Sequence, residues 1–412
     1  MRKLYTLLTL SLLYSALASA QDYGTGIAGD GYYRIRNVAT NRYLYVTDNK
    51  DYYDTSRDVE DFQAIQLWLD HEEMPDEGFR SPVEDPASVI YIKKYGSQYD
   101  LTAQGTGVHA LTGYYVNVTT LSNGTYEVSA SVSKAGIEVI KTLSDNESTL
   151  EASKGKMGTG GKLNFRRWIV DKITTNHATN YMGIRPTIQA NGKYYQPYFA
   201  AFPFKPASDG MKVYYINIVD GNWAVLKEIQ GEVPAATPVI IECSTDAPAT
   251  NRIELLASSA ANADNNKLAG AYFCNGSRNE QSVDAYKVFD AEGMRMLTVN
   301  SEGKLTYTDA PTTGLEDIVK RDKSTGYKPV TYKCIPANRS YLKCDASTAK
   351  TLTVLTEEEY KGLGIEDLIA ESSKKGIDGV YSLSGTQLRK ANDINGLPAG
   401  MYIVGGHKVA VK

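Results

Sequence analysis

Basic runs, histidines and apolar stretches beyond the first twenty residues are what this sequence lacks, and each absence removes a class of function. Lysine and arginine number 44 against 48 acidic residues, a formal net charge of -4. No basic face for a phosphate backbone follows from this, so nucleic acid is not an expected partner. The four histidines, His71, His109, His177 and His407, are scattered over the whole chain. "HEEMP" at His71 begins like a zinc-protease helix, but Pro75 occupies the place of the second ligand, so two ligands cannot share one helical face. No G-x-S-x-G turn is present to expose a serine nucleophile. Glycine-rich "KGKMGTGGK" at 154–162 lacks the G-x-x-x-x-G-K-S/T order of a phosphate loop and reads as a hairpin tip. The acidic stretch Asp48–Asp61 offers six carboxylates in fourteen residues, yet it lacks EF-hand spacing and is interrupted by Lys50 and Arg57, which makes it a solvated loop. No catalytic residue, cofactor or metal is expected.

The one long apolar stretch is at the start. Arg2 and Lys3 precede an apolar run from Leu4 to Ala18, and Ala18-Ser19-Ala20 supplies the small residues of a cleavage site. Residues 1–20 read as a secretory signal cut before Gln21, which predicts a secreted or outer-surface chain. The run falls short of the roughly 20 residues that span a bilayer, and no later segment reaches that length. The four cysteines, Cys243, Cys274, Cys334 and Cys344, fit no C-x-x-C metal pattern; in an exported chain their even number predicts disulfides, with Cys334 and Cys344 near enough for a local bridge.

What is abundant is tyrosine, thirty against eight phenylalanines, together with short segments of alternating polarity. "SVIYIKK", "TYEVSASV", "KVYYINI", "PVIIE" and "KLTYT" all alternate and stop at Gly, Asn, Asp or Pro, as strands do. Tyrosine suits half-buried sheet faces whose hydroxyl ends stay wet. The exceptions are a helical turn expected in "DVEDFQAIQLWL" and a helical linker at 356–375, where Thr356 caps and Glu359 sits three residues on. With 412 residues, two or more domains are expected.

"GYYRIRN", "VATN" and "RYLYV" read as strand, turn and returning strand. "FQAIQLW" then supplies Gln66 and Trp68 as a Q-x-W, and "NFRRWIVDKI" supplies Trp168. Hairpin-like patterns recur at 87–107 and 124–140, making three imperfect units. On these residues, the region 23–175 resembles the ricin-type β-trefoil lectins found in secreted proteins of Bacteroidetes. The resemblance implies a sugar gripped by an Asp of the returning strand, an aromatic ring and an Asn or Gln. Tyr45 stands where that Asp would be, and Asp100 in the second unit is one place off. The candidate ligand-binding residues are therefore Tyr43, Tyr45, Gln66, Trp68, Tyr99 and Asp100. The competing reading makes Trp68 and Trp168 core plugs, Gln66 a turn cap and some of the tyrosines buried.

The region 181–355 carries the phrases "EVPAATPVIIE", "CIPANRSYLKC" and, further on, "GLPAGMYIVGG", each placing Pro and Ala just before a strand. It resembles the β-sandwich modules of secreted Bacteroidetes proteins. The last segment, 376–412, resembles the end of the C-terminal sorting domain read by the type IX secretion system, which implies turns at Gly385, Gly396, Gly400, Gly405 and Gly406 and contact with export machinery. The tail is shorter than that domain, and a plain edge hairpin is the other reading.

The expected architecture is all-β: a trefoil, an antiparallel sandwich, a helical linker and a short C-terminal hairpin. The expected function is non-catalytic binding of a glycan or glycoprotein outside the cell. The alternatives are a structural or adhesive surface protein that binds other proteins, and a glycan-acting enzyme.

Overall fold

Period-two alternation governs most of the described segments, and the chain answers with sheets that are antiparallel but for one pair of strands. The computed structural model describes residues 24–46, 65–68, 81–104, 114–134, 137–145, 153–154, 156–158, 163–272, 274, 286–321, 328–363, 379–405 and 407–411. The expected leader, the acidic stretch 48–61, "HEEMP", His109 and Gly406 lie outside these residues, as does most of the expected linker.

Six strands of the N-terminal unit pair in a closed ring. In order they are Gly31–Asn37, Ile90–Tyr95, Gln98–Thr102, Tyr114–Thr120, Tyr126–Lys134 and Trp168–Lys172, with the last returning to the first and every pair antiparallel. Three excursions leave the ring, one after every second junction. The first carries the strands Tyr43–Val46 and Ile65–Trp68, the second is the connection from Thr102 to Tyr114, of which 105–113 lie outside the described residues, and the third carries Ile137–Ser144 and Lys156–Gly158. A six-stranded ring with three such excursions is the connectivity of a β-trefoil. Its core is filled by Tyr33, Ile35, Ile90, Ile92, Leu101, Val116, Val128, Trp168 and Val170. Trp168 is fully buried and its indole N–H donates to the Leu143 carbonyl at 3.1 Å.

Of two local expectations, one changes and one holds. Residues Ile65–Trp68 of "DVEDFQAIQLWL" form a strand rather than a helical turn, because they ladder against Tyr43–Val46 and tertiary pairing outweighs local helix preference. The opening hairpin forms as read: the Asn37 side chain accepts from the Ala39 and Thr40 amides, and Asn41 takes a left-handed φ of 59° to reverse the chain.

The second unit is a ten-stranded sheet that doubles back on itself. Its order is Ile188–Ala190, Lys193–Tyr198, Val239–Cys243, Lys212–Asp220, Trp223–Ile229, Thr351–Thr356, Leu305–Thr308, Met294–Val299, Arg339–Lys343 and Leu268–Ala271. The two ends meet, with Lys193–Tyr198 against Arg339–Lys343 and Ile188–Ala190 against Met294–Val299. Between the layers lie Val213, Ile216, Ala224, Val239, Ile240, Ile241, Tyr307 and Leu352. One pair departs from the antiparallel rule: Trp223–Ile229 runs parallel to Thr351–Thr356. Arg34 joins the two units. Buried on the trefoil, it donates to Ser88 Oγ at 2.9 Å, Asn180 Oδ1 at 2.6 Å and the Tyr181 carbonyl at 3.0 Å.

After Thr356 the chain turns into a helix over 357–363, and the cap is reciprocal: the Glu359 amide donates to Thr356 Oγ1 while Glu359 Oε2 accepts from the Thr356 amide. The C-terminal hairpin, Gly400–Val404 with His407–Val411, belongs to a four-stranded sheet with Val380–Ser382 and Gln387–Arg389. Gly385, Gly396 and Gly405 take positive φ in turns, whereas Gly400 opens a strand across from Val411 instead of shaping a turn.

The expected disulfides are not formed: Cys243, Cys274, Cys334 and Cys344 are all free thiols. Cys334 and Cys344 do not meet, because the Cys334 thiol is against Cys274 while the Cys344 thiol lies 3.7 Å from the Leu342 carbonyl. Cys243 is sealed in the sandwich core, where burial and the neighbouring Glu242 push its thiol up to about 12.

Candidate functional site

A barrel strand buries every second side chain, so the residues between must face outward. On Ile90–Tyr95 the core takes Ile90 and Ile92, leaving Tyr91, Lys93 and Tyr95 on the other face. On Gln98–Thr102 it takes Leu101 with Tyr99 packed against it, leaving Gln98 and Asp100. On Tyr114–Thr120 it takes Val116, leaving Tyr115 and Asn117. Register sets Tyr95 across from Gln98, and Asp100 between Lys93 and Tyr115.

The result is an aromatic and polar surface on three neighbouring strands. Tyr95 and Tyr115 are 60% and 45% exposed, and their ring centroids are 4.7 Å apart at an interplanar angle of 38°. Asp100 Oδ1 is covered, yet it has no hydrogen-bond partner. Such an acceptor is costly to leave empty and calls for a donor. At its other end the same face is closed by the second unit. Tyr91 meets the Tyr32 ring at 4.9 Å, and Tyr32 meets Phe202 at 5.9 Å. Burial, and then the neighbouring Tyr91, push the Tyr32 hydroxyl up to about 12.

The sequence-predicted residues are divided between two places. Tyr43, Tyr45, Gln66 and Trp68 share one hairpin, with Tyr43 across from Trp68 and Tyr45 across from Gln66. Tyr43 is half-buried and Arg36 lies 6.0 Å from its ring centroid. The side chains of Tyr45, Gln66 and Trp68 lie outside the described residues. Tyr99 and Asp100 belong to a barrel strand and point to opposite faces: Asp100 outward, Tyr99 onto the core, where it is a packing residue rather than a sugar platform. The rings beside Asp100 are instead Tyr95 and Tyr115. Alternation around the buried Ile92 and Val116 was the signal for their outward direction; nothing local showed that the two strands would be neighbours of the same third strand.

A second feature lies where the two units meet. A cleft of about 250 Å³ is lined by Glu84, Arg185, Gln196, Tyr198, Glu316 and Arg339. It adjoins one of about 460 Å³ under Met296, Leu297 and Val299, with Thr187, Pro336 and Arg339 common to both. Two carboxylates thus share a cleft, but Glu84 is held by Arg185 at 2.6 Å. Among the described residues no three His, Cys, Asp or Glu side chains cluster to hold a metal, and no helix is long and apolar enough to cross a membrane. No protein-family model, curated protein or solved structure matches this chain.

Proposed function

We propose that this chain is a secreted or cell-surface carbohydrate-binding protein without catalytic activity, holding a glycan or glycoprotein on the outward face of the trefoil barrel. The observation that carries this reading is the exposed pair Tyr95 and Tyr115 beside an Asp100 oxygen that lacks a donor. Sugar rings present apolar C–H faces that lie on aromatic rings, and hydroxyls that donate to a carboxylate. Gln98 and Asn117 add polar groups at the rim of the same surface. A site this shallow binds weakly by itself, because little ligand surface is removed from water. The N-terminal leader supports export, and the tail supports contact with export machinery.

A glycan array of the full chain, including mucin and plant polysaccharide fragments, tests the reading. The expected result is a competable hit that weakens about tenfold in Tyr115→Ala and in Tyr95→Ala, a loss on the order of 1.4 kcal/mol. The melting temperature should hardly move, since both rings are already exposed. A blank array, or a hit indifferent to both substitutions, removes this site. A module that binds other proteins is then the better reading, and the exposed Leu383, Leu388 and Met401 of the C-terminal sheet favour it.

A further inference from the structure

After Trp168–Lys172, the last trefoil strand, the chain passes to the second unit through a loop at 174–180. The loop closes on itself: the Thr174 amide donates to the Asn180 carbonyl at 3.2 Å and the His177 amide to the Thr174 carbonyl at 3.3 Å. Both units grip it. From the trefoil, Arg34 donates to Asn180 Oδ1 at 2.6 Å, while Asn180 Nδ2 donates to the Asp171 and Lys172 carbonyls at 3.0 Å each. From the second unit, whose core takes the neighbouring Ile253, Arg252 lies 3.9 Å from the Tyr181 ring centroid. It also donates to the Thr175 carbonyl at 2.6 Å and the His177 carbonyl at 3.0 Å. His177 is the one ionisable side chain of the loop, and its half-buried ring holds the centre. Its Nδ1 accepts from the Thr179 amide at 3.1 Å and from the Asn180 amide at 2.8 Å. Two donors on one ring nitrogen require the neutral imidazole, with its proton on Nε2.

We propose that His177 is a pH-sensitive latch on the joint between the two units, shut while its imidazole is neutral and released when Nδ1 takes a proton. A proton there points at two N–H groups, so the ring must leave and both amide bonds go with it. The charged residues in contact with the loop do not offset the new charge. Arg34, Arg252 and Lys172 are cations, and Asp171 Oδ1 already accepts from the Thr25 amide at 3.0 Å. Because the shut loop excludes a proton that the open loop binds, acid favours the open loop. Opening frees Asn180, the residue through which Arg34 holds the loop, and the trefoil loses its grip on the joint. The latch is independent of what the outward face of the barrel binds.

Hydrogen exchange of the full chain, followed at the Thr179 and Asn180 amides between about pH 7.5 and 5 and divided by the intrinsic rate at each pH, tests the latch. Protection should fall toward acid by up to about tenfold per pH unit, the slope of one proton. The radius of gyration from small-angle scattering should be larger at the acid end. His177→Asn keeps an acceptor for amides two and three residues on but does not titrate, so neither its protection nor its radius should follow pH. His177→Ala should be poorly protected throughout. Protection in the unsubstituted chain that ignores pH, an acid loss shared by His177→Asn, or a loss of protection without a change of radius would each overturn the proposal. Should a variant fail to fold, a His177 imidazole signal that titrates out of step with the amide protection would overturn it equally.

Discussion

Arg42 carries much of the first hairpin. Its Nε donates to Asp145 Oδ2 at 2.8 Å and its Nη2 to Oδ1, with both side chains buried. Thr40 Oγ1 donates to the same carboxylate, so one aspartate ties the turn to the third excursion. Removing one partner of a buried pair leaves the other charged and unsolvated, which costs about 3–5 kcal/mol. Arg42→Met is therefore expected to lower the midpoint of urea unfolding of the full chain by that equivalent, and a shift under about 1 kcal/mol would show that Asp145 finds water instead. Two of the three arginines of "GYYRIRNVATNRYLYV" thus hold the protein itself, through Asp145 for Arg42 and through Asn180 for Arg34. Neither partner was legible in the sequence, because each lies more than a hundred positions away and only folding brings it near.

At the scale of elements, the strands and the capping box were legible because period two and the Thr356/Glu359 spacing act locally. The Pro-Ala phrases were legible as strand openers, but not the backbone they need. After Pro234 and Pro336 the chain turns through Ala236 at φ 55° and Asn338 at φ 56°. The Ala236 amide donates to the Ala200 carbonyl, and the Asn338 carbonyl accepts from the Phe199 amide, so the two turns clasp adjacent residues of one segment. Asparagine tolerates this left-handed geometry, whereas alanine is strained by its Cβ. Ala236→Gly is expected to raise stability by about 0.5–1 kcal/mol, read as a higher denaturant midpoint at unchanged slope. A decrease would mean that the added chain entropy of glycine outweighs the relief of strain.

For the whole molecule, burial of ionisable groups sets a limit on alkaline stability. Tyr32 and Tyr272 are pushed up to about 12, chiefly by burial, and Cys243 to about 12 by burial and Glu242. In the unfolded chain the thiol ionises near 8.5 and the phenols near 10. Between those values and 12 the unfolded chain holds fewer protons than the folded one, so stability falls as pH rises. The melting temperature should be insensitive to these groups below about pH 8 and decline progressively from pH 9 to 12. A flat profile across that range would place these groups in contact with water. Alternation, turn residues and the tyrosine-rich composition were enough to determine an all-β chain, since strand and turn preferences act within a few residues. The closed ring, the inward turn of Tyr99 and the outward pairing of Tyr95 with Tyr115 were decided by tertiary structure alone. Each depends on which strands become neighbours, and that is set by burying a common core between segments far apart in the chain.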